Sequence, residues 1–149
     1  MVVKLAKFGL ILIAIFALIQ FIPYGRSHTN PAAVAEPVWD SPSTRDLASS
    51  ACFDCHSNET KWPWYTSVAP VSWLTQHDVD EGRATLNFSD WNGVTGHGDD
   101  DPAEAVQSGE MPPSYYVMMH SHANLTAAEK DALVTGLQKT FSGTAGSGD

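Results

Sequence analysis

From Phe8 to Phe21 the chain reads F-G-L-I-L-I-A-I-F-A-L-I-Q-F, apolar throughout apart from Gln20. A helix apolar on every face suits a bilayer better than the edge of a small core, where one face must meet water. The 18 residues over 5–22 rise through roughly 27 Å as a helix, close to a hydrocarbon thickness of about 30 Å. Flanking lysines supply the missing length by snorkelling. Residues 1–26 are therefore expected to be a transmembrane anchor. The competing reading is a signal peptide cut after A-V-A at Ala33 to Ala35. That site lies 13 residues beyond Ile22, with Pro31 between, further than such sites usually sit.

Lys4 and Lys7 precede the run and favour a cytoplasmic N-terminus. Everything after Arg26 then lies on the periplasmic side. That part holds all 17 acidic residues and five basic ones, a formal charge of −12. Nucleic acid needs a basic face, so it is excluded as a partner. The acidity serves solubility or docking to a basic protein surface.

Residues 27–45, with three prolines and many small side chains, read as an extended tether reaching roughly 24 Å as a coil. A helix is expected from Ser43 or Thr44 through D-L-A-S-S-A-C-F-D-C. A second follows Pro70, with Val71, Leu74 and Val79 as its apolar face. Residues 92–101 read as a glycine-rich connection. Asp101, Pro102 and Glu104 then carry the N-cap grammar of a helix, and T-A-A-E at 126–129 repeats it ahead of a C-terminal helix facing inward through Leu133, Val134 and Leu137. Residues 142–149 read as a disordered tail. No strand-period run or internal repeat stands out, so the fold class is all-α, with one helical domain over 46–141.

The only two cysteines stand in A-C-F-D-C-H-S-N-E-T, at Cys52 and Cys55. A closed zinc site needs four ligands, and no third cysteine or finger-like histidine pair exists. A redox dithiol belongs after a strand in a βαβ unit, and that context is missing. C-x-x-C-H is also the attachment signature of covalent haem c. Two thiols add to the two vinyl groups as thioethers, and the adjacent His56 reaches the iron. An exported compartment, where such attachment normally occurs, agrees with this reading.

Two resemblances extend it. The chain resembles class I mono-haem cytochromes, which place C-x-x-C-H near the end of the first helix, then a Met-Pro loop and a C-terminal helix. Here Met111 opens M-P-P, 55 residues after His56. More closely, it resembles the bacterial haem-binding-domain family of membrane-anchored cytochromes. The likeness runs through Q-F-I-P, C-F-D-C-H-S-N-E-T-K-W-P-W-Y, A-P-V-S-W-L, H-D-V-D-E-G-R, L-N-F-S-D-W and G-E-M-P-P-S-Y-Y. The insert V-T-G-H-G-D-D-D and the glycine-rich tail match neither pattern. The resemblance implies a small class I-like helical domain around one covalent haem, behind a single N-terminal transmembrane helix.

The iron ligand opposite His56 stays open between several side chains. The class I placement implies Met111, whose thioether would raise the reduction potential. His77 on the second helix would lower it. Met118, Met119, His120 and His122 are further candidates, and a five-coordinate iron is the last. Trp62, Trp64, Trp73 and Trp91 are expected either to wall the porphyrin or to fill an ordinary core. Arg83, or a Trp or Tyr, is a candidate partner for a haem propionate.

Two functions follow. One is a membrane-tethered electron carrier on the periplasmic side, not an enzyme, working alone or as a subunit of a respiratory or photosynthetic complex. The other is a haem enzyme or sensor that binds peroxide or a diatomic gas at an open distal face. No distal acid–base pair or second haem site supports the latter.

Overall fold

The computed structural model describes residues 1–91 and 101–142. The connection expected over 92–101 and the tail over 142–149 lie, but for Asp101 and Ser142, outside the described residues. Seven α-helices occur among those described: α1 (Val2–Ile19), α2 (Pro42–Ala51), α3 (Phe53–His56), α4 (Val71–Thr85), α5 (Pro102–Ser108), α6 (Ser114–Met119) and α7 (Ala127–Ser142). Only an isolated bridge between Ala35 and Asp90 represents β-structure among the described residues. The fold is all-α.

The chain forms two compact units, one of Met1–Thr29 with Lys61–Asp80, the other of Asn30–Thr60 with Glu81–Asp149. In the first unit, α1 has a mean hydropathy of 2.5 and no buried residue. It is long and apolar enough to cross a membrane. Within 71–80, Val79 is buried, but Val71 and Leu74 are 42% and 49% exposed. The apolar face expected of this helix is thus only partly covered by protein.

The second unit has its core between α2, α5 and α7. Ala48, Ala51, Phe53, Phe88, Ala103, Val106, Leu133 and Leu137 form it. Three rings pack through it, with Phe88 stacked 5.5 Å from Phe53 and tilted against Trp39 at 5.2 Å. On α7, Leu133 and Leu137 are buried as expected, while Val134 is partly covered.

The helix starts follow their capping residues. α2 begins at Pro42, slightly earlier than expected, because Ser41 caps it by accepting the Thr44 N–H. Asp101 accepts the Ala103 N–H before α5, with Pro102 in the first turn. Ahead of α7, Thr126 and Glu129 bond reciprocally: the Thr126 N–H donates to Glu129 Oε2 at 2.8 Å and the Glu129 N–H to Thr126 Oγ1 at 3.3 Å. That is the capping box read from T-A-A-E.

Much of the stretch before α2 is tied down. Arg45 forks onto Glu36, with Nε to Oε2 at 2.7 Å and Nη2 to Oε1 at 2.6 Å, and Trp39 Nε1 donates to the same carboxylate at 2.8 Å. The Arg45 bonds hold Glu36 below the usual carboxylate range, against the opposing effect of burial. A lowered acid pKa stabilises the fold above the unfolded value and loses that contribution as pH falls through the folded one. Glu36→Gln should therefore cost about 1 kcal/mol near neutral pH. Urea unfolding across a pH series should show that gap closing as pH falls below the ordinary carboxylate range, where the carboxylate protonates.

Candidate functional site

All residues of the cysteine motif fall in the second unit. The single helix expected there is in fact two, because Cys52 (φ −123°, ψ −33°) leaves α-helical geometry. Its N–H still bonds Ala48 O at 2.8 Å, while its own carbonyl accepts from Cys55 N–H at 3.2 Å and His56 N–H at 2.9 Å. Cys52 thus ends α2 and starts α3. Ser57 Oγ then closes α3 by donating to Phe53 O at 2.7 Å. Both cysteines are half-buried, and no disulfide joins them. Burial, with a smaller push from Cys55, raises Cys52 up to about 12. A redox dithiol needs a lowered thiol pKa, so this environment speaks against that use.

His56 is fixed through one edge of its ring. Nδ1 lies 3.0 Å from Gly82 O and 3.1 Å from Leu86 O, at the C-terminal end of α4. Carbonyl oxygens only accept, so Nδ1 must carry the proton and Nε2 the lone pair. Burial lowers the His56 pKa, outweighing the two carbonyl bonds that favour the cation. The side chain is therefore a neutral imidazole in one defined tautomer. A backbone carbonyl on the remote ring nitrogen is the usual means of orienting a metal-binding histidine.

A family model described as the haem-binding domain matches residues 14–139. The chain belongs to the haem-binding domain family. No curated protein and no solved structure matches it. The cofactor class is haem, and the donor set fits: an oriented neutral imidazole with a free Nε2, beside two half-buried thiols.

The loop after the motif is held by polar contacts. Arg83 Nε donates to Ser57 O at 2.8 Å, and Nη2 reaches Thr60 Oγ1 at 2.9 Å and Asn30 Oδ1 at 3.0 Å. Arg83, considered above for a propionate, is thus committed to the chain. The Phe88 N–H bonds His56 O at 2.8 Å, and the Asn58 N–H bonds the buried Ser89 Oγ at 3.0 Å. Sequence reading missed Ser57, Asn58 and Ser89, because buried small polar residues look like loop residues until their partners are known.

Met111 is half-buried against the same core cluster as Cys52, and its N–H bonds Ala105 O at 3.0 Å. Downstream, Tyr116 on α6 donates its hydroxyl to Asp54 Oδ2, inside the motif, at 2.6 Å. This ties the M-P-P-S-Y-Y segment to C-F-D-C-H. His120 stacks on Tyr116 with ring centres 4.0 Å apart, and its Nδ1 donates to Tyr116 O at 2.9 Å. His122 lies edge-on to His120 and is exposed, as are Met118 and Met119. His77, Trp62, Trp64 and Trp73 belong to the first unit. His77 is exposed there, Trp62 stacks on His28, and Trp73 Nε1 is buried without a partner among the described residues.

The E-G-R motif gains its reason from His56. A Cβ on Gly82 would stand 2.6 Å from Cys55 O, closer than real contacts allow, so only glycine lets α4 pass near enough. Gly→Ala on an open helix face gains about 1 kcal/mol from propensity. Here the clash should reverse the sign. Gly82→Ala should lose about 1–2 kcal/mol on denaturant unfolding, the overpacking cost less the propensity gain. Ala84→Ser, on an exposed neighbour, should stay within about 0.5 kcal/mol plus its small propensity cost.

Proposed function

We propose that this haem-binding domain is a membrane-tethered c-type cytochrome that passes single electrons between protein partners on the periplasmic side of the cytoplasmic membrane. It carries one covalent haem c and is not an enzyme. The observation that carries the reading is the two-carbonyl bond to His56 Nδ1, which leaves Nε2 as the nitrogen for iron. Bound there, haem supplies a one-electron iron couple. Cys52 and Cys55 hold it by thioether bonds: each sulfur bonds one vinyl carbon and its hydrogen passes to the other, so no oxidant is consumed. The anchor reading draws on α1, apolar over its length and unburied.

Met111 would be the second side chain to hold the iron. Its packing against the core cluster that Cys52 also touches, and the Tyr116–Asp54 bond a few residues on, support that reading. A neutral thioether favours the ferrous state and so a higher potential. The excess of acidic side chains on the exported part suits a basic docking surface and fast, salt-sensitive encounter. The partner is a redox protein, free or within a larger membrane complex.

One observation favours a second ligand assignment. His120, like His56, has Nδ1 on a backbone carbonyl, the contact that commonly orients a metal-binding histidine. The absorption spectrum of the ferric protein separates the two. A low-spin spectrum with the weak far-red band of sulfur on iron should appear, vanish in Met111→Ala and persist in His120→Ala. A low-spin spectrum without that band, lost in His120→Ala, would move the ligand to His120. A high-spin spectrum would return the iron to the gas-binding or peroxide reading.

A further inference from the structure

The first unit carries an apolar surface that the electron-transfer reading does not use. Trp64 is 79% exposed, and Val71, Leu74, Phe21, Ile22 and Tyr24 are exposed large hydrophobic side chains as well. Scattered apolar residues on a surface need no explanation, but a group continuous with a bilayer-length helix does.

Two contacts make it continuous. Gln20, directly after α1, donates Nε2 to Ala69 O at 2.9 Å and accepts the Ala69 N–H on Oε1 at 3.0 Å. That pair fastens the 69–71 turn to the final turn of the apolar helix. Gly25 (φ +78°) passes so close to Ser72 that a Cβ would collide with its carbonyl, so the chain leaving the anchor runs against the start of α4. His28 then stacks on Trp62, with ring centres 4.6 Å apart, and bonds Thr66 O at 3.1 Å. The 61–74 segment is therefore bound, point by point, to the stretch that emerges from α1.

Charge divides in the same way. Residues 1–35 and 61–77 hold no acidic side chain, whereas Lys4, Lys7, Arg26 and Lys61 fall within them. Asp78 and Asp80 are the only acids of the first unit, leaving it at a formal +2 in a chain of −9. Exposed tryptophan and tyrosine, aliphatic neighbours and basic residues that outnumber the acids suit a lipid–water interface.

We propose that residues 61–74 lie in the interfacial layer of the membrane as a second contact beside the anchor, with Trp64, Val71 and Leu74 against the headgroup–acyl boundary. The proposal rests on α1 spanning the bilayer. It gives K-W-P-W-Y and A-P-V-S-W-L a lipid-facing role, where the sequence alone left their tryptophans open between walling a porphyrin and filling an ordinary core. Tryptophan suits this depth because its ring is apolar and its N–H still finds water or a headgroup.

The test uses the full-length holoprotein in phosphatidylcholine nanodiscs doped with a lipid bearing a photoactivatable diazirine near the headgroup end of its acyl chain. After illumination, adducts are mapped by peptide mass spectrometry. Adducts should fall on 5–22 and on 61–74, with α7 unlabelled. Replacing Trp64 and Leu74 together by aspartate should remove adducts from 61–74 and leave those on 5–22. Adducts confined to 5–22 in the parent protein would overturn the proposal while keeping the anchor, as would equal labelling of α7. Absence of adducts from 5–22 as well would overturn the anchor reading and this proposal with it.

Discussion

One proton organises the candidate site: the hydrogen on His56 Nδ1, shared between the carbonyls of Gly82 and Leu86. The carbonyls at the end of a helix lack intrahelical partners and carry its negative end. An imidazole N–H placed there is oriented and polarised without any charged residue. Burial keeps the ring neutral, so the opposite nitrogen is left as a base toward a metal. The approach that allows this depends on a missing Cβ at Gly82, since any side chain there would meet the Cys55 backbone.

Around that bond the second unit spends its polar groups on the backbone of the motif. Arg83 follows Gly82 and fastens the carbonyl just after His56, while the Asn58 N–H bonds Ser89 Oγ and Ser57 Oγ links Phe53 O to the Glu59 N–H. Buried polar groups of this kind cost stability unless bonded, and once bonded they fix one geometry. The apolar part of the support is the Trp39, Phe88 and Phe53 stack, which places Phe53 inside the motif itself against the core. On the proposed electron-transfer reading, a His56 held still in this way would keep reorganisation small as haem iron changes charge.

Several of these features were legible in the residues. The apolar run of α1 and the caps at Asp101 and Thr126 depend on residue type at short spacing, and the structure has them where the sequence puts them. Less legible were the contacts in which a side chain meets a backbone carbonyl far along the chain. Gln20 on Ala69 and Arg83 on Ser57 leave no mark in composition. The break at Cys52 was hidden because α2 and α3 share helical residues on both sides of it. Val71 and Leu74 fit a helical period but are exposed, because periodicity marks an apolar face without saying what covers it.

The central claim is that C-F-D-C-H holds haem covalently with His56 on iron. It is tested most directly by the intact mass of the chain, exported in a host that attaches haem c, then purified and denatured. The account predicts a polypeptide heavier by one haem, with peptide mapping placing the group on Cys52 and Cys55, and loss of that mass when both are alanine. Haem that leaves entirely on denaturation, or that stays bound in the double variant, would contradict it.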